Sequence, residues 1–510
     1  MSSTEKKVYD YVPERVRDQL VDVFRKRSRE ATTADLVAIT GLPKTQVEAE
    51  VKAVSDEYGA RLKVTESGEI LYSFPSGMRS RYRGLGPSLR RFWKAFKKGA
   101  AAVASFLFKI WIVVMLVGYF VLFLALALLA LLLSIAAQSA GRGDSRDDRR
   151  GGGLGGMMIA GRLFQTIINI WFYSEMFKTD EERLYRAQKR AARRPLHKAI
   201  FSFVFGDGDP DATWDATEKR AVLAFLQSNK GLMTMPEFMA ITGLPPLEAE
   251  ERINTYLYEY EGSPEVSEGG VIYYSFPELL RRKDKADRSL GFSVPMRRIA
   301  PFSSNPSKSN TWFCVINAVN FLFGSYFLGS ALSSHPLLNI LYGPDYAGRL
   351  VMTRGWDSFY LMVHQLAGKL GGIADPGLLL GAALGAVPLA FSVFFYAVPA
   401  IRSLRLKARN ERARLENLRR VAYRAVLDSP NAVRPEAIQP HEDAARPKAA
   451  DAAKRVVTEL AAWAQAEPKA DGSYVFAEVE RAKAEAAKVR AGVNLKDYEL
   501  GGEVFDSGSP

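Results

Sequence analysis

The chain has 510 residues and a formal charge of +13, with its basic residues gathered beside long apolar runs. That distribution points to a membrane surface before nucleic acid. The single cysteine, Cys314, excludes a disulfide framework, a CxxC pair and a thiolate metal site, and the four histidines (His197, His335, His364, His441) show no HExxH-type spacing.

The first twenty residues are charged and lack an apolar h-region, so no cleavable signal peptide is expected. Residues 8–78 form the first of two repeat copies. A basic juxtamembrane segment, 79–109, follows, with Arg79, Arg81, Arg83, Arg90, Arg91, Lys94, Lys97 and Lys98 placed for lipid headgroups. Ile110–Ser134 carries no charge and exceeds the roughly 20 apolar residues that cross the hydrocarbon. Gly156–Phe172, in segment 156–174, is short and carries Arg162, Gln165 and Asn169 on one helical face. It reads as a second crossing or as an interfacial helix. A basic helix, 175–199, comes next. Both flanks look cytoplasmic, so an even number of crossings separates them. Either Gly156–Phe172 crosses, or the first run folds into a tight hairpin near Gly118.

The second repeat copy occupies 212–282. Trp312–Leu332 reads as a membrane helix, with Asn317 and Asn320 facing a neighbouring helix. Residues 333–376 form an external loop whose Trp356–Leu370 stretch reads as a helix resting on the outer interface. Gly377–Ile401 is another span; Gly377, Gly381 and Gly385 make a ridge for close helix packing, and Pro388 should kink it. A basic helix, 402–430, leads into the tail, 431–510.

The repeat is carried by two blocks in constant register. Ala38–Pro43 recurs as Ala240–Pro245, and Tyr72–Pro75 recurs as Tyr274–Pro277. Each copy reads as an amphipathic helix, a short helix ending at Gly-Leu-Pro, a third helix and a hairpin. Gly41 and Gly243 suit a left-handed helix end, and Pro43 and Pro245 a helix start. This order resembles the winged helix-turn-helix fold. The tail admits a degenerate third copy, with Val421–Leu427, Ala437-Ile438, Lys454–Gln465 and Gly472–Phe476 as its parts, or else two solvated helices on a Pro/Ala-rich linker. The fold class expected is mostly α, with about four transmembrane helices and tandem winged-helix (α+β) repeats.

Phe205-Gly206-Asp207-Gly208-Asp209-Pro210, together with the repeat and the hydropathy plan, resembles an uncharacterised family of cyanobacterial and chloroplast membrane proteins. The resemblance implies no activity. Physically the motif is a turn; Asp207 and Asp209 are weak candidates for a divalent cation, because the EF-hand spacing is not met.

The third helices carry Glu48, Glu50, Asp56 and Glu57 in copy one and Glu248, Glu250, Glu251 and Glu259 in copy two. Both are net acidic, so phosphate would repel them and DNA is disfavoured. No phosphate loop, GxSxG, metal cluster or paired carboxylates are present, so neither an enzyme nor a cofactor is expected. The expected protein is a multi-pass protein of a bacterial inner (plasma) membrane with both termini cytoplasmic. It would present its modules to the lipid bilayer's neighbours as protein-docking or scaffolding surfaces, with an unidentified protein partner and homo-oligomerisation left open. The alternatives are a membrane-tethered winged-helix transcription regulator and a small transporter or channel subunit.

Overall fold

A computed structural model describes residues 10–26, 30–74, 78, 81, 85–140, 195–283, 294–333, 357–372, 376–438 and 449–508. The chain is mostly helical, with small antiparallel sheets. In chain order its elements are α1 (Pro13–Lys26), β1 (Glu30–Ala31), α2 (Thr33–Thr40), α3 (Lys44–Tyr58), β2 (Arg61–Thr65), β3 (Ile70–Ser73), α4 (Leu85–Val113), α5 (Tyr119–Ala140), α6 (Leu196–Phe205), α7 (Trp214–Ser228), β4 (Leu232–Thr234), α8 (Met235–Thr242), α9 (Pro246–Glu259), β5 (Ser263–Val266) and β6 (Ile272–Ser275). They continue with α10 (Ser307–Ser333), α11 (Asp357–Gly371), α12 (Gly377–Leu380), α13 (Val387–Asp428), α14 (Ala449–Trp463), β7 (Glu467–Pro468), β8 (Tyr474–Val475), α15 (Ala477–Gly492) and β9 (Glu503–Asp506). The chain divides into two compact units, the first holding 1–92, 209–300 and 408–510, the second 93–208 and 301–407.

The first unit is built from modules. In module 1, α1 buries Val16, Leu20, Val21, Val23 and Phe24 on one face, with Glu14 in its first turn and Arg25 and Lys26 in its last, as the helix dipole favours. A capping box, Thr32 with Asp35, starts α2, and Gly41 at φ 74° ends it. Module 2 repeats both devices with Thr234, Glu237 and Gly243 at φ 67°. Pro43 and Pro245 sit at the N-cap of the third helices, and their carbonyls accept from Val47 and Ala249. Each sheet places the strand before the second helix beside the last strand, giving the orders β1-β3-β2 and β4-β6-β5.

The tail repeats this pairing. Ala31 faces Tyr72, Met233 faces Tyr274, and Val433 faces Tyr474. Across the hairpin, Leu62 faces Tyr72, Pro264 faces Tyr274, and Pro468 faces Tyr474. Two residues after each tyrosine lies a buried phenylalanine, Phe74, Phe276 or Phe476. The tail elements from α13 to α15 form module 3. Its second helix is only a 3-10 turn, Pro435–Ala437, among the described residues. One apolar core runs through all three modules, from Leu20 and Val51 through Leu223 and Ile253 to Tyr423 and Val457.

Among the described residues, three helices are long and apolar enough to cross a membrane, within Gly99–Leu133, Ser307–Leu332 and Gly377–Asp428. The expected segment 156–174 and most of 175–199 lie outside the described residues. The hairpin at Gly118 does not form: α4 runs into α5 through a π-turn, Val114–Gly118, so the helix is continuous there. Nor does the expected boundary at 401 end a helix, because α13 continues from apolar to basic sequence without a break. Helix propagation depends on backbone hydrogen bonding, which is indifferent to whether lipid or water faces the side chains. The irregularity expected at Pro388 is a π-turn just before it, Gly381–Ala386. Helix α11 turns Phe359, Tyr360 and Val363 onto a cluster with Phe123, Phe327 and Leu380. Part of its apolar surface is thus covered by α5, α10 and α12.

Polar side chains tie these helices together. Asn320, fully buried, donates to the Leu116 carbonyl at 2.8 Å in the first π-turn, and Tyr119 donates to the Ala383 carbonyl at 2.8 Å in the second. Asn317 donates to Ser392 O at 3.1 Å, and Tyr396 to Cys314 O at 2.7 Å. Each side chain reaches a carbonyl on another helix, the kind of bond that holds helices together in lipid. The ridge glycines permit the approach: a Cβ on Gly385 would lie 2.7 Å from Leu328 N, and one on Gly381 would lie 2.7 Å from Ala331 Cβ. Gly377 opens the short helix α12. Gly385→Leu should lower the melting temperature of the detergent-solubilised chain by several degrees. Gly329→Leu should leave it nearly unchanged, because a Cβ there meets nothing within 4 Å. Equal melts for both variants would show that α10 and the Gly381–Ala386 turn do not pack closely.

Candidate functional site

The second helix of each full module is short, eight residues, and carries an acid at its N-terminal end and a glycine turn at its C-terminal end. Both ends are held by side chains from the module that follows. At the start of α2, Asp35 accepts from Arg282 Nε at 2.9 Å and from Lys283 N at 3.0 Å, and the ion pair is almost fully buried. At the start of α8, Glu237 occupies the equivalent position and accepts from both Arg490 Nη1 and Nη2, at 2.8 and 2.6 Å.

The C-terminal ends follow the same plan. Tyr260 Oη donates to Gly41 O at 3.0 Å, and Arg220 Nε lies 3.5 Å from Thr40 O. In module 2, Arg420 is buried, donates to Ile241 O at 3.0 Å and also donates to Thr242 O. A cation over the last carbonyls of a helix satisfies acceptors that have no intrahelical donor and complements the dipole. Arg420 stacks 4.8 Å from the Trp214 ring, on whose Nε1 Glu218 depends for a 3.2 Å bond. Burial pushes the Glu218 carboxyl above its usual range, opposed by Arg252 and Arg420.

The Gly-Leu-Pro turns fit this grip. A Cβ on Gly243 would lie 2.5 Å from Glu416 O and 2.9 Å from Arg420 Cγ. On Gly41 it would lie 3.4 Å from Ala216 O and from Lys219 Cβ, ordinary contact. Both glycines have positive φ, but only Gly243 also lacks room.

The third helices are partly taken up by the same stacking. Lys44, the first residue of α3, pairs with Glu261 at 2.7 Å and Glu278 at 3.4 Å. Burial works against its charge as the largest single influence, yet the Glu261 bond and the charges of Glu261, Glu278 and Glu48 together raise the ammonium above its usual range. Glu50 is buried and accepts from Tyr11 and Arg17, at 2.9 and 2.5 Å, so it is a core acid rather than a surface one. Glu259 is likewise buried against Lys219 at 2.7 Å. Glu250 accepts from Trp463 Nε1 at 2.9 Å. What α9 leaves outward is Leu247, Glu248, Glu251, Asn254 and Tyr258. Leu247, Glu251, Asn254 and Tyr258 fall on one stripe at helical spacing, and Leu247 is 79% exposed.

The Gly-Asp-Gly-Asp-Pro segment is a set of structural contacts. Gly206 has φ 83°, and Arg402 packs where its Cβ would be, donating to Phe203 O, Val204 O and Phe302 O at 2.7, 3.2 and 2.6 Å. Asp207 accepts from Ser202 Oγ, Ser304 N and Ser304 Oγ, all within 2.8 Å. Asp209 pairs with Arg409 at 2.8 Å. Among the described residues no group of three or more potential metal-ligating side chains forms.

The basic segments divide. Arg81 folds back on module 1, its N–H donating to Glu57 O at 2.7 Å. Arg90, Arg91, Lys94, Lys97 and Lys98 lie on α4, where Lys97 is exposed; Arg79 and Arg83 lie outside the described residues. In 402–430, Arg402, Arg409 and Arg420 bind protein, as described, and Arg419 lies 3.4 Å from Glu459. Sequence reasoning read Arg420 only as part of the basic helix 402–430, and gave Arg282 and Arg490 no role. The available signal was Arg420 standing before the Ala422, Tyr423, Val426 face as Arg220 stands before Val222, Leu223, Leu226.

No family model matches this chain, and no solved structure matches it. The chain is similar to an uncharacterised chloroplastic protein of Arabidopsis thaliana, 22% identical over 442 residues, which cover 83% of this chain and 74% of that protein. The match fits an uncharacterised family of chloroplast and cyanobacterial type.

Gly243→Ala should destabilise the chain more than Gly41→Ala. Positive φ alone costs a non-glycine residue about 1–2 kcal/mol, common to both, and only Gly243 adds an overlap with backbone. Arg420→Gln should cost about 3 kcal/mol, since it strips a buried group from its partners. Urea melts of the purified chain, followed by tryptophan fluorescence, measure all three; a smaller loss for Gly243→Ala than for Gly41→Ala would refute the close approach.

Proposed function

We propose that this chain is a membrane-anchored docking platform: three winged-helix-like modules, the third degenerate, stacked so that their outward faces bind protein rather than DNA. The observation that carries the reading is the use of the third helices. A DNA reader brings the leading turn of that helix to the base edges. Here the leading lysine of α3 is paired with Glu261 and Glu278, and α9 turns Glu248 and Glu251 outward beside Leu247 and Tyr258. Carboxylates around an exposed apolar residue suit a basic, partly apolar protein segment and repel phosphate.

The apolar spans and their basic flanks support a multi-pass membrane protein with both termini cytoplasmic in a bacterial plasma membrane. The chloroplastic relative is compatible with a membrane of that descent. We read the basic residues of α4 as contacts to lipid headgroups, and the membrane helices as an anchor.

The test uses the full chain in nanodiscs. A photo-crosslinker at Leu247 should capture a protein in intact membranes, and the capture should be lost in Glu248→Lys with Glu251→Lys. Random duplex DNA should not be retained at about 0.1 M salt. Salt-dependent retention of the duplex, weakened by neutralising α3 or α9 cations, would replace this reading by the transcription regulator.

A further inference from the structure

The three modules share a hairpin, and its outer edge differs in one atom. In module 1 the edge strand β2 has Leu62 opposite Tyr72; modules 2 and 3 have Pro264 and Pro468 at that place. The Leu62 N–H points away from β3 and donates to Ser507 Oγ at 2.8 Å, while Leu62 O accepts from Ser507 N at 3.0 Å. Proline has no such N–H. An edge proline is a standard way for a sheet to refuse another strand. Two of the three equivalent edges therefore carry that block, and the third does not.

The unblocked edge is the one that carries a strand. β9 runs antiparallel along β2, with Lys63 facing Asp506, Val64 facing Phe505 and Thr65 facing Glu503. The contact continues through Glu66 N to Gly502 O at 2.9 Å and Ser67 N to Leu500 O at 3.2 Å. Lys63 pairs with Glu503 at 3.0 Å. Gly501 has φ 70°, a backbone conformation that favours glycine, and it lies against the Glu66 side chain. The apolar side chains of β9 do not anchor it: Val504 is 69% exposed and Phe505 58%. The strand is held by main-chain bonds, the Ser507 hydroxyl and the Lys63–Glu503 ion pair, which are individually weak and open readily.

We infer that the outer edge of β2 is a strand-docking site for an extended acidic segment of the pattern carboxylate, apolar, aromatic, carboxylate after a glycine pair, and that residues 501–508 of this chain hold it shut in cis. Main-chain pairing supplies the affinity, and Lys63 with the glycine pair supplies the selection. A partner segment of that chemistry displaces β9 and exchanges one strand for another. The inference rests on reading the modules as protein-docking surfaces. The two fail separately, because DNA retention bears on α3 and α9 while strand exchange bears on β2 alone.

The experiment compares the full chain with one ending at Tyr498, both in detergent, using a fluorescent peptide of residues 499–508 and anisotropy. The shortened chain should bind the peptide one-for-one. The full chain should bind it about ten-fold more weakly or less, since the tethered strand competes at high effective concentration. Leu62→Pro in the shortened chain should abolish binding and keep the fold, as modules 2 and 3 keep theirs with proline there. No binding by the shortened chain, equal binding by both chains, or binding untouched by Leu62→Pro would each overturn the inference. If Leu62→Pro does not fold, Lys63→Glu decides: it should lose the peptide and regain it when the peptide carries Glu503→Lys, and failure to regain it overturns the assignment. A full chain that dimerises by exchanging β9 would equally overturn the cis arrangement.

Discussion

The first unit depends on arginines that close the ends of short helices belonging to the preceding module. An isolated helix of eight residues is marginal in water, because nucleation costs more than so few hydrogen bonds return. Helices α2 and α8 are both of that length. Each is completed from outside: Arg282 and Arg490 meet the N-terminal acids, and Arg420 meets the C-terminal carbonyls of α8. The Arg282–Asp35 pair is nearly dry. Such a pair adds little net stability over apolar packing, yet removing one partner strands a buried charge. It therefore fixes which surface meets which more than it adds binding energy.

The second unit solves a related problem with different groups. In lipid, apolar packing cannot discriminate helix from tail, so contact needs close backbone approach and hydrogen bonds between helices. The two π-turns, Val114–Gly118 and Gly381–Ala386, each receive a side-chain donor, from Asn320 and Tyr119 respectively. Gly324 and Gly385 sit at the closest approach, where a Cβ on either would meet backbone atoms within 3.0 Å. The Asn317, Asn320, Tyr119 and Tyr396 side chains thus donate to carbonyls of neighbouring helices.

Much of the local architecture was legible in the residues. The end of the second helix could be read because a Gly-Leu-Pro turn follows Thr40 and Thr242. The repeat was legible because two blocks are identical and ungapped. What was illegible is non-local. β1 and β9 are too short or too polar for an alternating pattern to show, and they are strands only by virtue of what they pair with. The arginine clamps join residues some 180 to 250 positions apart, and charge alone made Arg402 and Arg420 look like a membrane flank. Hydropathy also changes near Ile401, but one helix runs on to Asp428, so the change in composition marks no helix end.

The same dependence runs along the stack. In modules 1 and 2 the elements that follow supply both clamps to the second helix. The described part of the equivalent stretch in module 3 is a 3-10 turn at Pro435–Ala437. Its first and third helices survive because the shared core holds them through Tyr423, Val426, Val457 and Leu460. Its hairpin survives because Tyr474 and Phe476 are packed as Tyr274 and Phe276 are. A stack built this way has a direction, set by which module grips which.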